Sequence, residues 1–558
     1  MKDNVHLREL SLRSKALLKA MGYTSEELEK PRIGIANTWS ETSPGHYHLR
    51  NLADAVKAGI WQAGGTPFEF SSFAQCPIFT GVGGLEDGGI RYDTPTRDIV
   101  AASVEASTLL HAFDGLVLLS SCDKNVPGHL LAAARLNIPS IIVTGGPMLT
   151  GIHLGKKVMI TDVDLETYKQ GMGTCNLSIQ ELEELEECVC PGPGACALLG
   201  TANTMQCISE ALGLTLPRAG TAIAGFAKQL RIAKASGKQI VELVKRGLRP
   251  AQIMTSESLE NAVRVLHALG GSTNAVVHIL ALCEELDLEV KINLATIEKL
   301  GEETPWITDV KPGGQFFVQD LDEAGGVQAV LKRLESMLNL KTVTVNGNTL
   351  EKNLENVVVK RPEVIHSLEN PLSKNGLIVL RGNLADSAIV RPMVIPDKKT
   401  YFKGPARVYN SQEEAIEGLK RRELKKGEVL VVRYEGPRGG PGLTEVFRIS
   451  GYLQALEMDT ACAFVTDGKI SGFGKSFYVV QVSPEAYVGG TLALVENGDT
   501  IEIDLSKKKL ELLVDEGKIK KRRKKWTPPK PRVHRGFLTL YARFANSSAK
   551  GAGLNLKL

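Results

Sequence analysis

The chain has 558 residues and a formal net charge of +4, with 43% hydrophobic and 23% charged residues. Its length predicts two or more domains, and its composition and small net charge are typical of a globular protein without a nucleic-acid partner. No apolar run approaches the ~20 residues of a membrane span. The first residues, "MKDNVHLREL", lack the apolar segment of a signal peptide, so we expect a cytoplasmic protein without a membrane partner.

The first part of the chain alternates strand-like and helix-like patterns, which favours α/β layers. Strands are predicted at "RIGIAN", "GLVLLSS" and "PSIIVTGG". Helices are predicted at 49–64, from a Thr94 cap to residue 113, over "GHLLAAARLN", and from near Thr201. Short, continuously apolar strands separated by helices predict a parallel sheet that is covered on both faces.

The pattern changes near residue 370, where short β runs such as "GEVLVVRYEGP", "KSFYVVQVSPEA" and "TLALVENGDTIEIDL" are separated by Gly and Pro turns. Such runs are typical of a β-barrel or a compact β-rich domain. We therefore predict an α/β domain over 1–360 and a β-barrel-like domain over 361–558. The basic run "KIKKRRKKW" is interpreted as a solvated face rather than a nucleic-acid site.

Three cysteines lie in loops next to apolar or Gly-rich segments, namely Cys76, Cys122 and Cys196. Their separations do not match a local zinc spacing, whereas an iron–sulfur cluster can take thiolates from distant loops. The remaining cysteines are predicted to lie in the core (Cys207, Cys283, Cys462) or stay unassigned (Cys175, Cys188, Cys190). A disulfide framework is not expected in the cytoplasm.

Reactive side chains also occur near the ends of predicted strands. Asp123 is a natural ligand for a hard cation, and a desolvated Lys124 could act as a base or form a carbamate that binds a metal. In the second domain, "RYEGPRGGPGLTE" holds Glu435 and Glu445 among glycines and prolines. Ser471 lies in the Gly-flanked turn of "TDGKISGFG", where it is inert unless a metal or a base activates it.

Seven ordered motifs carry a resemblance to a known family: "CDKNVPG", "GTANTMQCISEALGLTLP", "GGSTNAVVHILAL", "YEGPRGGPG", "TDGKISG", "VSPEAYVGG" and "NSSAKGA". The sequence closely resembles the dihydroxy-acid and phosphogluconate dehydratase family, which includes the aldonic (sugar-acid) dehydratases. The resemblance implies an α/β domain bearing an iron–sulfur cluster ([2Fe-2S] or [4Fe-4S]) and Mg²⁺, closed by a barrel-like domain. It also implies dehydration of a 2,3-dihydroxy acid to a 2-keto acid.

The resemblance also implies roles for individual residues. Cys122 and Cys196 match cluster ligands, and Asp123 and Glu445 match Mg²⁺ ligands. Lys124 matches a lysine that is carbamylated in some members and then binds Mg²⁺. Ser471 matches the serine proposed to remove the C2 proton as an alkoxide.

The sequence departs from the family pattern at several positions. Gly45 stands where the first cluster cysteine usually lies, and Cys76 falls where some relatives carry it instead, so we expect Cys76 to be the third ligand. Pro77 then replaces an acidic Mg²⁺ ligand, for which Glu86 or Asp87 could substitute. Phe473 replaces a small or hydroxyl residue near the serine, which predicts an altered substrate pocket.

We therefore expect a hydro-lyase of the dihydroxy-acid dehydratase type, which acts in branched-chain amino-acid biosynthesis. A sugar-acid dehydratase stays open, and so does a non-catalytic iron–sulfur protein on the same scaffold, which Gly45 and Pro77 motivate. A serine hydrolase is disfavoured because "GKISGFG" is not the nucleophile elbow of those enzymes. Family members are oligomeric, so a homodimer or homotetramer is expected.

Overall fold

The computed structural model describes residues 9–77, 89–286, 288–472 and 474–554. Its first part contains a four-stranded sheet formed by β1 (Arg32–Asn37), β2 (Thr66–Ser71), β3 (Gly115–Ser120) and β4 (Ser140–Thr144). The strand order is β2-β1-β3-β4 and every pair is parallel. All residues of β1, β3 and β4 are buried, which confirms a parallel sheet covered on both faces. A separate hairpin follows, formed by β5 (Gly151–His153) and β6 (Lys156–Val158).

Sixteen helices of the described residues belong to this part. They are α1 (Leu12–Ala20), α2 (Ser25–Leu28), α3 (Leu49–Gln62), α4 (Asp93–His111), α5 (Asn125–Leu136), α6 (Ile160–Met172), α7 (Ile179–Cys188), α8 (Thr201–Ala211), α9 (Ala227–Arg246), α10 (Pro250–Ile253), α11 (Ser256–Ala268), α12 (Thr273–Glu285), α13 (Leu294–Glu303), α14 (Val318–Ala324), α15 (Gly326–Arg333) and α16 (Leu350–Leu354). Helices α3 and α9 pack on each other and on the sheet, while α4 packs on α5, which contacts β3 and β4. These helices fix the ends of the strands that carry the candidate site.

The second part is built on an eight-stranded mixed sheet. Its strands are β7 (Ile378–Leu380), β8 (Ser387–Val390), β9 (Tyr401–Tyr409), β10 (Val429–Val432), β11 (Ala463–Thr466), β12 (Phe477–Ser483), β13 (Thr500–Asp504) and β14 (Lys509–Leu512). The order is β14-β13-β9-β10-β11-β12-β8-β7, in which β9 to β12 pair in parallel and the other neighbours are antiparallel. The helices are α17 (Gln412–Lys420), α18 (Phe447–Ala455), α19 (Glu516–Lys525) and α20 (Leu538–Phe544).

The two ends of this sheet meet, so that it nearly closes into a barrel. The backbone N–H of Arg381, directly after β7, donates to the Lys508 carbonyl at 3.0 Å, and the Leu510 N–H donates to the Arg381 carbonyl at 2.9 Å. Alternate residues of β10 then face different cores: Val429 and Val431 lie in the barrel interior, while Leu430 and Val432 belong to the larger core shared with the first part. The expected fold class, α/β followed by a barrel-like domain, is confirmed.

Two local predictions were wrong. Helix α4 begins at Asp93 rather than after a Thr94 cap, because the Thr94 hydroxyl donates instead to the Leu443 carbonyl at 3.3 Å. The segment "TLAL" is a short 3₁₀ turn, Thr491–Leu494, whose side chains fill the barrel core instead of extending a strand. The helix α19, which carries most of the basic run, buries none of its residues, as expected for a solvated face.

The domain boundary near residue 360 stays a prediction. No helix among the described residues is both long and apolar enough to cross a membrane.

Candidate active site

The candidate site begins where β3 ends. Ser120 is the last residue of the strand, and Lys124 immediately precedes α5. The turn between them forces Cys122 into the left-handed region, with a φ of 63°. This conformation is unfavourable for a residue with a Cβ and persists only where the surrounding structure fixes it. The tight turn thus brings a thiol, a carboxylate and an amine together at the end of a buried strand.

One cleft gathers most of the predicted site residues. Its described lining is Cys76, Pro77, Cys122, Asp123, Ala195, Cys196, Leu198, Gly200, Thr201, Ala202, Glu445, Phe447 and Ser471. These side chains come from the end of β3, the loops around Cys76 and Cys196, and two loops of the barrel part. The cleft is therefore formed between the two parts of the chain.

The three predicted thiols all line the cleft and lie near one another, and we call them the thiol side of the cleft. A hydrogen bond with Cys76 and burial raise the pKa of Cys122 well above its usual value, and burial together with Cys76 and Asp123 does the same for Cys196. Neutral thiols are thus favoured in the protein alone, whereas a bound cation stabilises thiolates.

The donor set fits an iron–sulfur cluster. Three thiols from separate loops are the ligand type that such clusters take. Among the residues that the structure describes, no three His, Cys, Asp or Glu side chains are grouped closely enough to hold one metal ion.

Gly45 explains why the usual cysteine position is empty of a side chain. A Cβ built on Gly45 would overlap Cys122 Sγ, and it would lie 3.5 Å from Ser121 Oγ. Cys122 thus occupies the space that a side chain at position 45 would need. The assignment of Cys76 as the third ligand stays a prediction.

A second group of lining side chains carries oxygen atoms, namely Asp123, Glu445 and Ser471, and we call it the oxygen side of the cleft. Glu445 Oε2 accepts hydrogen bonds from Asn274 Nδ2 and from Lys469 Nζ, both at 2.7 Å. Its Oε1 atom accepts one from the Ser471 backbone N–H at 2.8 Å. These donors hold the Glu445 carboxyl group in place, and Glu445 lines the cleft together with Asp123. Carboxylates are the ligands that Mg²⁺ prefers, so Asp123 and Glu445 fit a magnesium site.

Lys124 lies behind Asp123 and is not among the described residues that line the cleft. Its Nζ atom is 3.1 Å from Asp93 Oδ1 and 3.4 Å from Asp123 Oδ2. Asp93 also contacts Lys469 Nζ through its other oxygen. Burial acts to raise the pKa of Asp93, but the two ammonium groups outweigh it and hold that pKa below its usual value. The carboxylate is therefore ionised.

Ser471 lies half-buried at the meeting point of both parts. The Ser471 carbonyl accepts a hydrogen bond from Arg391 Nη1 at 3.0 Å, and Arg391 also donates to the Leu199 and Gly270 carbonyls at 3.1 and 2.6 Å. Gly472 has a φ of 100°, and a Cβ there would overlap the same guanidinium. The serine hydroxyl therefore sits on a turn whose backbone is fixed from two directions.

Other predicted residues lie away from the cleft. Glu435 is buried and accepts hydrogen bonds from Gln412 N and Arg532 Nη1. These bonds give it a structural role away from the cleft. Cys207 and Cys462 are buried and Cys283 packs against the core, which confirms their predicted place. Cys190 packs beside Cys196, but it is not among the described lining residues. Glu86, Asp87 and Phe473 lie outside the described residues.

Sequence reasoning missed several residues that fix the site. Asp93, Asn274, Arg391 and Lys469 hold the groups named above, although they contact them from positions far apart in the chain. Asn274 and Lys469 lie inside motifs that carried the family resemblance, so their place in "GGSTNAVVHILAL" and "TDGKISG" was a usable signal. Asp93 and Arg391 gave none.

The chain is similar to known proteins over nearly its whole length. Models described as Dihydroxy-acid/6-phosphogluconate dehydratase N-terminal and C-terminal match residues 30–353 and 363–552. A dihydroxy-acid dehydratase of Methanothrix thermoacetophila is 46% identical over 546 residues, which cover 97% of each chain. Proteins of the same description from Acetivibrio thermocellus and Pyrococcus abyssi are 43% and 44% identical, covering 97% and 96% of this chain and 97% of each relative.

Proposed function

The chain belongs to the dihydroxy-acid/6-phosphogluconate dehydratase family, and on that premise we propose that it is a hydro-lyase that converts a 2,3-dihydroxy carboxylic acid into a 2-keto acid. The reaction removes the C2 proton and the C3 hydroxyl as water, and the resulting enol tautomerises to the keto acid. One observation carries the proposal: three thiols, two carboxylates and a serine hydroxyl line a single cleft.

The proposed ligands divide by chemistry. Cys76, Cys122 and Cys196 would hold an iron–sulfur cluster, and Asp123 and Glu445 would hold Mg²⁺, with Lys124 beside them. When bound, these groups supply a Lewis acid for the departing hydroxyl and a dication that neutralises the substrate carboxylate. The number of irons, [2Fe-2S] or [4Fe-4S], and a carbamate on Lys124 stay predictions.

Ser471 is the proposed base: its hydroxyl first loses its proton to solvent, and the resulting alkoxide takes the C2 proton. Ser471 lines the cleft together with Asp123 and Glu445, which would hold the cation that neutralises the substrate carboxylate. Arg391 donates a hydrogen bond to the Ser471 carbonyl, and the Ser471 N–H donates one to Glu445. These two bonds fix the backbone of Ser471 relative to the Glu445 carboxylate. A fixed base loses no orientational freedom in the transition state, which lowers the barrier to proton removal.

The walls of the cleft favour an apolar substrate tail. Leu198, Ala202 and Phe447 present hydrocarbon surface beside the reactive groups, and Pro77 and Ala195 extend it. Such a surface gains free energy by covering a branched aliphatic chain, whereas the hydroxyls of a sugar acid need polar partners. We therefore propose a branched-chain dihydroxy acid as substrate, with an aldonic acid as the alternative. The enzyme is further proposed to be a cytoplasmic homodimer or homotetramer.

The test is anaerobic purification followed by iron and sulfide analysis and by an assay of keto-acid formation. Dihydroxyisovalerate and a panel of aldonates serve as substrates. We expect turnover of dihydroxyisovalerate, and preferential turnover of an aldonate would instead identify a sugar-acid dehydratase. A full complement of iron without turnover of any substrate would overturn the enzymatic proposal in favour of a non-catalytic iron–sulfur protein.

The same preparation tests the third cluster ligand. Cys76→Ser is expected to lose iron and activity together, because one of three thiolates is removed. Cys190→Ser is the matched control, since Cys190 packs beside Cys196 without lining the cleft. Iron retained in Cys76→Ser but lost in Cys190→Ser would assign the third ligand to Cys190.

A further inference from the structure

A continuous series of buried ion pairs runs behind the oxygen side of the cleft. Asp123 Oδ2 lies 3.4 Å from Lys124 Nζ, which lies 3.1 Å from Asp93 Oδ1. The other oxygen of Asp93 contacts Lys469 Nζ, and that nitrogen lies 2.7 Å from Glu445 Oε2. The side chains of Asp93, Lys124 and Lys469 are all 0% exposed. The series therefore connects the two proposed magnesium ligands without entering solvent.

The series crosses between the two parts of the chain at one contact. Asp93 begins α4, and Lys124 immediately precedes α5, so both belong to the first part. Lys469 follows β11, and Glu445 precedes α18 in the barrel part. Asp93 and Lys469 are separated by 376 positions in sequence. Their contact is thus the point at which the carboxylates of both parts are tied together.

Neither Asp93 nor Lys469 is among the described residues that line the cleft, so neither is placed to touch substrate. Each instead contacts residues that do line it, or that contact lining residues. We propose that Asp93 and Lys469 are positioning residues, which hold Glu445 and Asp123 where a divalent cation binds between the two parts of the chain. The inference rests on the proposed function, because it presupposes the magnesium site, and it concerns the protein in which Lys124 is a free ammonium group.

Removal of Lys469 can separate a positioning role from a simple charge effect, because the two predict changes of opposite sign in cation affinity. Lys469 places a positive charge beside Glu445, so its removal strengthens cation binding if only charge matters. If Lys469 positions Glu445, the same removal weakens binding, because the carboxylate loses a charged hydrogen bond and its link to Asp93. The two explanations therefore predict opposite shifts in cation affinity.

The experiment measures Mn²⁺ binding, as a probe of the magnesium site, by electron paramagnetic resonance on anaerobically purified protein of equal iron content. We expect Lys469→Met to weaken Mn²⁺ binding about 10-fold relative to the wild type. Lys469→Gln retains a hydrogen-bond donor for one of the two carboxylates. Its Mn²⁺ affinity is expected to lie between those of the wild type and Lys469→Met, so it also provides the test if the methionine variant does not fold. Tighter Mn²⁺ binding in either variant would overturn the proposal.

Asp93→Asn completes a double-mutant cycle with Lys469→Met. If Asp93 acts through Lys469, its substitution has a smaller effect on Mn²⁺ affinity in the Lys469→Met background than in the wild type. Fully additive effects of the two substitutions on Mn²⁺ affinity would show that Asp93 does not act through Lys469.

Lys228→Met is the matched control, because it removes a lysine whose ion pair with Asp322, at 2.6 Å, involves no cleft residue. Its Mn²⁺ affinity is expected to equal that of the wild type. A wild-type protein that binds no Mn²⁺ would refute the proposed magnesium site itself. Wild-type binding that Lys469→Met does not weaken would refute only the positioning role.

Discussion

The two sides of the cleft differ in how their buried ionisable groups are stabilised. On the oxygen side, Glu445 receives three hydrogen bonds, and Asp93 and Asp123 are paired with lysines from the same protein. On the thiol side, burial and the neighbouring Cys76 and Asp123 groups all raise the pKa of Cys196. The oxygen side carries its own counter-charges, while the thiol side favours neutral groups until a cation arrives.

Asp164 extends the thiol side of this comparison. It lies on α6, its Oδ2 atom is buried without a hydrogen-bond partner, and it raises the pKa values of both Cys190 and Cys196. Burial raises the pKa of Asp164 itself to about 7. The difference indicates that the oxygen side can be preformed by folding, whereas the thiol side reaches its charged state only with a bound metal group.

The largest expected effect is the loss of a thiol. Cys196→Ala should remove iron and activity almost completely, because the remaining two thiols cannot hold the cluster. Iron and sulfide content measure this loss. The control is Cys207→Ala, which removes a buried core thiol and should keep the iron while losing ~1 kcal/mol of stability. Full iron content in Cys196→Ala would remove the thiol side from the proposed site.

On the oxygen side, Ser471→Ala should lower kcat by ~10²–10⁴-fold, which is the usual contribution of a proton-transferring group. The backbone N–H that binds Glu445 survives the change, so Mn²⁺ affinity and iron content should match the wild type. Steady-state kinetics on dihydroxyisovalerate measure the loss. Unchanged kcat would exclude Ser471 as the base.

Arg391 joins the two sides, because it binds the carbonyl of Leu199 near Cys196 and that of Ser471. Arg391→Met should cost ~3 kcal/mol of unfolding free energy, since buried carbonyl groups lose a charged donor. Urea denaturation measures the change. Arg381→Met is the control, as it breaks only a partly exposed pair with Glu298 and should cost less than ~1 kcal/mol. Equal costs would show that Arg391 does not hold the two sides together.

The smallest effect concerns pH and the thiol side. The raised pKa means that folded protein retains a proton on Asp164 that unfolded protein releases near 3.8, so wild-type stability falls as the pH rises towards about 7. Asp164→Asn should remove this fall. Its free energy of unfolding should rise by ~2 kcal/mol relative to that of the wild type as the pH increases from 5.5 to 8.

Denaturation of metal-free protein across that pH range tests this expectation. Asp162→Asn, on the same helix, is the control, because Asp162 accepts a hydrogen bond from Met159 N and should leave the pH slope unchanged. A wild-type slope in Asp164→Asn would assign the titration to another group.

The pattern of apolar residues predicted the first sheet well. Continuous runs such as "RIGIAN" and "GLVLLS" could only be buried parallel strands, and both are. The same reasoning failed at "TLAL", because an apolar run that fills the end of a barrel resembles one that forms a strand. Closure of the barrel through Arg381 also left no sequence signal, since it depends on two backbone hydrogen bonds between distant segments.

For the site, local motifs brought out residues whose neighbours in sequence were unusual. Cys122, Asp123 and Ser471 stand in Gly- or Pro-rich turns after apolar strands, and all three line the cleft. Asp93 lies just before the predicted Thr94 cap and was not singled out, because nothing near it in sequence reveals Lys469. Pairing of side chains across separate elements is a property of the packed fold and is not encoded in any short segment.

Gly45 has a consequence for how ligand positions can change in descendants of this chain. A cysteine returned to position 45 meets Cys122 Sγ, so that single replacement is blocked while Cys122 keeps its present place. A thiol at position 45 is accommodated only if the Cys122 side chain rotates away or its left-handed turn shifts. A return of the thiol to position 45 is therefore coupled to the conformation of Cys122 and is not a change at one position alone.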